Sequence, residues 1–67
     1  MTYTLTSEFI ELHKLLKLLD LVDTGGQAKM LIQDGLVLRN GVIEIRKRAK
    51  IIKDDTIQIG DVTITVV

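Results

Sequence analysis

The sequence of 67 residues contains no cysteine, no proline and no tryptophan. Without cysteine, neither disulfide bonds nor thiolate zinc sites can stabilise the fold, so an aliphatic core drawn from the 46% hydrophobic residues must do so. No apolar run approaches the roughly 20 residues that cross a bilayer, and the N-terminus lacks the basic start and apolar stretch of a signal peptide. These absences predict one cytoplasmic domain, residues 1–67, with no membrane partner.

Residues that carry chemistry are equally scarce. His13 is the only histidine, and no cysteine or second histidine can join it in a metal or nucleophilic site. Asp54 and Asp55 fit the turn before a strand, and so short a chain has little room for a catalytic pocket. We therefore predict that the protein is not an enzyme and needs no cofactor or metal. Tyr3 and Phe9, the only aromatic residues, both lie near the N-terminus, so a surface that stacks single-stranded bases is not expected.

The formal net charge of zero hides an uneven distribution of charge along the chain. Residues 1–38 carry three lysines and five acidic residues, which gives −2; residues 39–53 carry six basic residues and one glutamate, which gives +5; residues 54–67 carry three aspartates, which gives −3. A concentrated positive segment can present a surface to a polyanion although the whole protein is neutral. The alternative is a solvated charged turn without a partner.

Helical periodicity marks the first half of the sequence. Apolar residues recur every three or four positions with charged residues between them, as in an amphipathic helix. Ser7 is a suitable N-cap, so we predict the first helix at about residues 8–20. Its apolar stripe comprises Leu12, Leu15, Leu16, Leu19 and Val22.

A second helix is predicted from the stretch that begins at Thr24. Thr24 and Gln27 have the spacing of a capping box, in which each side chain satisfies a backbone N–H that the helix leaves unpaired. The helix is expected to run to Asp34, because Gly35 can adopt the left-handed conformation that ends a helix and Leu36 is the apolar residue that favours such an ending.

After residue 35 the periodicity changes to two, which predicts strands. Asn40-Gly41 favours a two-residue hairpin turn, which places Leu38 opposite Ile43 and Leu36 opposite Ile45 on one apolar face. Gly60-Asp61 predicts a second hairpin, with its isoleucines and Val62 on one face and Gln58 and Thr63 on the other. The predicted fold class is α+β: two N-terminal helices packed on a small antiparallel sheet of two hairpins.

Basic residues are densest between residues 45 and 51. If this stretch is extended, Ile45, Ala49 and Ile51 face the core and three basic side chains project outward, while Lys47 does not fit the alternation. Such an arm can follow a sugar–phosphate backbone, since arginine forms bidentate contacts with phosphate and lysine supplies a flexible charge. The candidate RNA-binding residues of the +5 segment are Arg39, Arg46, Lys47, Arg48 and Lys50.

The start of the second helix is another candidate anion site. Its free N–H groups and the positive end of the helix dipole favour an anion, and Gly25 and Gly26 would let a phosphate approach the backbone closely. Ordinary capping explains Thr24 and Gln27 but not two adjacent glycines, which cost about 1 kcal/mol each within a helix. Basic residues that could extend this surface are Lys14, Lys17 and Lys29. Together these features favour duplex or folded RNA recognised by phosphate and shape, and charge alone does not exclude DNA.

Several short motifs together resemble the alpha-L RNA-binding domain, first seen in a small-subunit ribosomal protein. They are the apolar run 12–21, the second-helix start 24–29, the segment 31–37, Asn40-Gly41, and Asp55-Thr56-Ile57, which resembles the family's Gly-Asp-x-Ile turn with Asp54 where glycine is usual. The resemblance covers about residues 9–60 and implies an alpha-L fold, RNA binding and ribosome association, with ribosomal RNA as partner. The family's second-helix contacts carry over by matching position to Thr24, Gly25, Gly26, Gln27 and Lys29.

Two departures from the family pattern concern the candidate site. Many members start the second helix with Ser-Arg, where this chain has glycines, and many have proline after the hairpin, where this chain has Arg46-Lys47-Arg48. Both departures look like the small stand-alone members of the YbcJ type, whose whole length is one such domain; we also expect a monomer. The assignment of Arg46 to Arg48 to RNA contact therefore rests mainly on charge.

Two alternative functions belong to a different class. A small carrier protein of the β-grasp type has a similar length, but it needs a flexible Gly-Gly terminus and this chain ends Ile64-Thr65-Val66-Val67. A protein–protein adaptor remains open, because a basic patch also binds acidic proteins. Such an adaptor would bind with a weaker dependence on salt and would survive nuclease treatment.

Overall fold

Two short helices and seven short strands form the fold, and the computed structural model describes all residues, Met1–Val67. The elements in chain order are β1 (Thr2–Tyr3), β2 (Ile10–Glu11), α1 (Leu12–Leu18), α2 (Gly25–Gln33), β3 (Val37–Arg39), β4 (Val42–Ile43), β5 (Lys50–Ile51), β6 (Thr56–Ile59) and β7 (Val62–Val66). The α+β class is therefore as predicted. No helix is long and apolar enough to cross a membrane.

Helix α1 begins four residues later than the sequence predicts, and Ser7 is not its N-cap. The Ser7 hydroxyl donates to the carbonyl of Phe9 at 2.9 Å, and residues 10–11 form strand β2 instead of a helical turn. The first N–H groups of the helix donate to another segment, Leu12 N to Ala49 O and His13 N to Lys47 O, each at 3.0 Å. A distant carbonyl thus replaces the local cap, which periodicity along the chain cannot reveal.

Helix α2 follows its prediction closely. The Thr24 hydroxyl accepts from Gln27 N at 3.1 Å, while Gln27 Oε1 accepts from Asp23 N at 2.8 Å, one residue before the position that the usual capping box satisfies. The helix ends at Gln33, with Asp34 as C-cap and Gly35 at a φ of 77°. Leu36 N bonds to Leu31 O, which completes the expected left-handed ending.

The strands form one five-stranded sheet and one two-stranded sheet, which corrects the prediction of two antiparallel hairpins alone. The strand order of the larger sheet is β1-β7-β6-β3-β4, and β1 runs parallel to β7. The small sheet pairs β2 with β5 in antiparallel orientation. Residues 1–6 do alternate apolar and polar side chains, a strand signal that the prediction missed, but alternation alone cannot show that β1 pairs with a strand about 60 residues further along the chain.

The two-residue turns and the pair Leu38–Ile43 are as predicted, but β3 starts at Val37 and β4 ends at Ile43, so the predicted pair Leu36–Ile45 does not form, and the first hairpin presents the opposite face to the core. Leu38 pairs with Ile43, yet Ile43 is 58% exposed, and Leu36 and Ile45 are 53% and 62% exposed. Val37 is fully buried instead, because β3 pairs with β6 and Val37 lies beside Ile59. In the second hairpin, the predicted pairs Ile57–Ile64 and Ile59–Val62 face the core.

The core lies between the helices and one face of the larger sheet. Buried aliphatic side chains of both helices meet those of the central strands, and Leu5 and Ala49 close the rim. The completely buried large residues are Leu12, Leu15, Leu16, Ile32, Val37, Ile51, Ile57, Ile64 and Val66. Ala49 and Ile51 belong to the stretch 45–51, in which basic residues are densest, so the core holds the end of this stretch in place.

Candidate nucleic-acid interface

The basic segment, residues 46–50, folds as a turn followed by a short strand, not as the extended arm that the sequence predicts. Residues 47–48 form the turn, and Ala49 N donates to Arg46 O at 3.1 Å. The buried side chains of Ala49 and Ile51 are as predicted, whereas Ile45 points into solvent. The turn explains the misfit of Lys47, whose carbonyl accepts from His13 N. The segment is therefore bonded directly to the start of α1.

Exposed cationic side chains follow from this turn. Arg46, Arg48 and Lys50 are exposed and Lys47 is half-buried. Lys50 Nζ lies 5.0 Å from the centre of the Phe9 ring, within the range of a cation–π contact. Neither Arg48 nor Lys50 forms an ion pair with a carboxylate. Their charges are thus available to an external anion.

Arg39, another predicted RNA-binding residue, lies inward and already has several partners. Its side chain is only 22% exposed. Its guanidinium donates to Asp55 Oδ2 from Nε at 3.2 Å and from Nη2 at 2.9 Å, and Nη2 also donates to Lys50 O at 2.8 Å. Arg39 therefore ties strand β3 to the end of the basic segment.

Asp55 has a larger role than the turn position that the sequence indicates. Burial alone would raise the pKa of Asp55, but hydrogen bonds from Ile52 N, from Asn40 Nδ2 and from Arg39 outweigh burial and lower it. The neighbouring Asp54, which stands where the resembling family has glycine, has a φ of 75° in the left-handed region that favours glycine. The family motif thus marked the turn correctly, whereas the side-chain partners of Asp55 lie 15 and 16 residues away along the chain.

Glu44 is the second carboxylate that sequence reasoning missed as a site residue. It is 8% exposed and accepts from Arg46 three times, from the backbone N at 3.1 Å, from Nε at 3.0 Å and from Nη2 at 3.1 Å. Arg39 Nη1 lies 3.6 Å from Glu44 Oε1. These contacts, chiefly the hydrogen bond with the Arg46 side chain, lower the pKa of Glu44 against the effect of burial. Alternation does place Glu44 and Arg46, two residues apart, on one side of an extended segment, but it gave no signal that Glu44 would be nearly buried there.

Four of the predicted basic residues surround one depression in the surface. We call it the basic depression; its lining residues are Arg39, Arg46, Arg48, Ala49 and Lys50. It is open to solvent and has a volume of about 370 Å³. Because Arg39 and Arg46 are paired with carboxylates, the uncompensated charge around the depression comes from Arg48 and Lys50.

The predicted residues on α1 lie outside the basic depression. Lys14 and Lys17 are exposed, and Lys14 Nζ lies 3.4 Å from Glu11 Oε1. Since α1 starts at the basic segment and spans about 10 Å, the two lysines lead away from that segment toward the connection to α2. His13, between them and the segment, contacts Glu11 Oε1 at 3.2 Å. No group of three His, Asp or Glu side chains is placed to hold a metal ion.

The start of α2 forms a separate group, none of whose residues lines the basic depression. The N–H groups of Gly25 and Gly26 donate no hydrogen bond within the chain. Neither glycine has a positive φ, and a Cβ would meet nothing within 4 Å at Gly25 and only the Thr24 hydroxyl, at 3.9 Å, at Gly26. The fold itself therefore does not require these glycines. Lys29, one turn further on, is half-buried.

Comparison with known proteins identifies the family and two similar sequences. The sequence matches the S4 domain family over residues 3–67. It is 40% identical over 58 residues to the Escherichia coli (strain K12) protein named "Putative RNA-binding protein YbcJ", covering 87% of this chain and 83% of that protein. The "Uncharacterized protein YbcJ" of Shigella flexneri matches to the same extent.

A solved structure shares the fold. The solution structure of YbcJ from E. coli, which reveals an αL motif involved in RNA binding, superposes with a TM-score of 0.76 at 37% sequence identity, covering 98% of this chain and 85% of that chain. The resemblance to the alpha-L family seen in the sequence is thereby confirmed. The family match, the identity and the shared fold agree, and this chain belongs to the S4 domain family.

Proposed function

We propose that this protein binds structured RNA, through phosphate and shape contacts made by the basic depression, the exposed lysines of α1 and the start of α2. The observation that carries the proposal is the basic depression, where Arg48 and Lys50 have no carboxylate partner on a segment held by the core. The relatives named or described as RNA-binding support it. Ribosomal RNA is the first ligand to test, because the resembling domain was first seen in a ribosomal protein.

The chemistry of the surface favours a backbone reader. Arginine and lysine heads neutralise phosphates, whereas the aromatic rings that stack unpaired bases are limited to Tyr3 and Phe9, and Phe9 is covered on one side by Lys50. Folded RNA offers phosphates at fixed spacing, which a rigid surface can match. We propose that the protein acts as a monomeric, non-catalytic RNA-binding domain in the cytoplasm.

The decisive experiment measures binding to a labelled RNA hairpin and to ribosomal RNA fragments over a range of salt. Contact with about four to six phosphates predicts a log–log slope of roughly −3 to −5. A nearly flat salt response would contradict the phosphate-contact mechanism, and binding of a cellular partner that survives nuclease treatment would instead favour a protein–protein adaptor.

A double variant tests the basic depression directly. Replacing Arg48 and Lys50 together by Gln should reduce the slope by about two and weaken binding to unrelated RNAs about equally. Because neither side chain is ion-paired, the free energy of unfolding should change by less than about 1 kcal/mol.

The matched control is Lys53→Gln, compared with Lys50→Gln. Both remove one exposed lysine charge, but Lys53 lines a different depression, together with Thr6, Ser7, Glu8 and Ile52. We expect Lys50→Gln to weaken binding more than Lys53→Gln does. Equal losses would mean that net charge, not this surface, governs RNA binding.

A further inference from the structure

Acidic and basic side chains alternate in a chain of ion pairs beneath the basic depression. Asp55 Oδ2 lies 2.9 Å from Arg39 Nη2, Arg39 Nη1 lies 3.6 Å from Glu44 Oε1, and Glu44 Oε2 lies 3.0 Å from Arg46 Nε. The carboxylates at both acidic positions are nearly buried, whereas the Arg46 side chain at the outer end is 72% exposed. The chain of ion pairs thus runs from the interior to the surface that we propose for RNA.

Glu44 places a negative charge beside a surface that we propose binds phosphate. It is the only acidic residue between positions 39 and 53, and its negative charge opposes the approach of any phosphate to the basic depression. Glu44 is not a solvated surface charge either, because its side chain is turned inward and the residue is only 8% exposed. The reason for Glu44 therefore lies in what it does for Arg46, from which its carboxylate accepts all of its hydrogen bonds.

The geometry of the pair leaves Arg46 able to bind an anion. A guanidinium has five N–H donors, and Glu44 takes one from Nε and one from Nη2. The remaining donors on Nη1 and Nη2 have no partner in the chain, and Arg46 lines the basic depression. The backbone N–H of Arg46 also donates to Glu44, so both ends of the side chain are held.

Holding an exposed arginine in one orientation lowers the entropy that it loses on binding. Arginine has a long side chain whose free rotamers must otherwise be restricted when it contacts a phosphate. The planar fork matches a carboxylate on one edge and a phosphate on another, which a lysine cannot do.

We propose that Glu44 is a positioning residue, which fixes Arg46 so that its unpaired N–H groups are preset for a single RNA phosphate in the basic depression. Arg39 and Asp55 hold Glu44 and the end of the segment in register from behind. This inference rests on the proposed RNA binding. It predicts that a carboxylate raises affinity for a polyanion.

The test compares Glu44→Gln in two backgrounds, with a labelled RNA hairpin of about 20 base pairs, longer than the roughly 16 that a small duplex-binding domain spans. In the parent background, Glu44→Gln should weaken binding about fivefold, although it raises the net charge by one. In the Arg46→Gln background, the same change should cause no loss, because Glu44 acts only through Arg46. The matched control Glu8→Gln removes an exposed carboxylate elsewhere and should leave affinity equal or slightly higher.

A second variant separates position from charge and covers the case in which Glu44→Gln does not fold. Glu44→Asp keeps the charge but shortens the side chain by one methylene, so the fork to Arg46 is disturbed and binding should again weaken, by about threefold. Thermal unfolding and backbone amide spectra of each variant establish that the protein is folded during the assay.

The outcomes distinguish this inference from the proposed function. Tighter or equal binding by Glu44→Gln in the parent background, or the same loss in the Arg46→Gln background, would overturn the positioning role while leaving RNA binding intact. If the parent protein itself shows no salt-dependent RNA binding, the proposed function and the positioning role both fail.

Discussion

At the scale of single residues, glycines and buried carboxylates define the candidate interface as much as the basic side chains do. Gly25 and Gly26 leave two backbone N–H groups open at the start of a nine-residue helix, and the surrounding fold would accept a side chain at either position. A glycine at such a position reduces the stability of the helix, and no contact or backbone conformation within the chain requires it. A close external contact with the backbone is the physical reason that we propose for both.

The variant Gly26→Glu tests this proposal at the residue scale. Glutamate has a better helix propensity than glycine and suits the positive end of the helix dipole, so the free energy of unfolding should rise by about 0.5–1 kcal/mol. RNA binding should weaken, because the negative side chain occupies the place proposed for a phosphate. Denaturant unfolding and RNA titration measure the two effects, which have opposite signs.

The neutral variant Gly26→Gln is the matched control, with nearly the same volume. It should lose less affinity than Gly26→Glu, and the difference reports charge rather than bulk. If both variants bound RNA as well as the parent does, the start of α2 would lie outside the interface.

At the scale of elements, pairing between distant strands decides which side of the first hairpin is buried. The Asn40-Gly41 turn sets the register of β3 and β4, with Asn40 at a φ of 52° and Gly41 at 84°, but a turn cannot choose a face. The choice comes from β6, which pairs with β3 so that Val37 joins the buried isoleucines. Arg39 shares that face and is thereby brought to Asp55.

The prediction at this scale compares two apolar residues of the hairpin. Val37→Ala should lower the free energy of unfolding by about 2 kcal/mol, because it leaves a cavity in a fully buried site. Ile43→Thr should change it by less than about 0.5 kcal/mol, since the side chain is 58% exposed and threonine suits a strand. Chemical denaturation of both variants checks the assignment, and a larger cost for Ile43→Thr would contradict the observed facing.

At the scale of the whole molecule, a neutral protein separates its charges into an exposed basic segment and carboxylates that support it. The +5 segment 39–53 contributes all of the basic depression, while Asp55, from the −3 segment 54–67, folds back to bind Arg39. The lowered pKa values of Glu44 and Asp55 link this arrangement to stability, because each carboxyl group is more acidic in the folded protein than the ordinary 4.5 and 3.8.

A pH prediction follows from the sign of these shifts. Each group stabilises the fold fully above its unfolded pKa, and this stabilisation declines as the pH falls below 4.5 for Glu44 and 3.8 for Asp55 and passes through the lowered folded values. Asp55→Asn should therefore lower the free energy of unfolding by about 2 kcal/mol at pH 7, where charged hydrogen bonds are lost. Its stability should fall less than that of the parent between pH 7 and pH 3. Denaturant unfolding at both pH values measures this, and parallel pH curves would contradict the role of Asp55.

Much of the local structure was predictable because its causes lie within a few residues. The capped start of α2, the Gly35 ending and the pairs Leu38–Ile43 and Ile57–Ile64 were all predicted. The start of α1 was not, since its first N–H groups bond to Lys47 and Ala49, far along the chain.

The sequence by itself determined that the chain is an α+β domain with a concentrated basic segment, because periodicity, turn residues and charge are properties of neighbouring residues; the alpha-L type came from the resemblance of its short motifs to that family. Only the tertiary structure decided which basic side chains are free. It paired Arg39 with Asp55 and Arg46 with Glu44, and it left Arg48 and Lys50 without a carboxylate partner. The physical reason is that an ion pair depends on distance in space: Arg39 and Asp55 are 16 residues apart and meet because β3 pairs with β6, whereas Glu44 and Arg46 are two residues apart and pair locally.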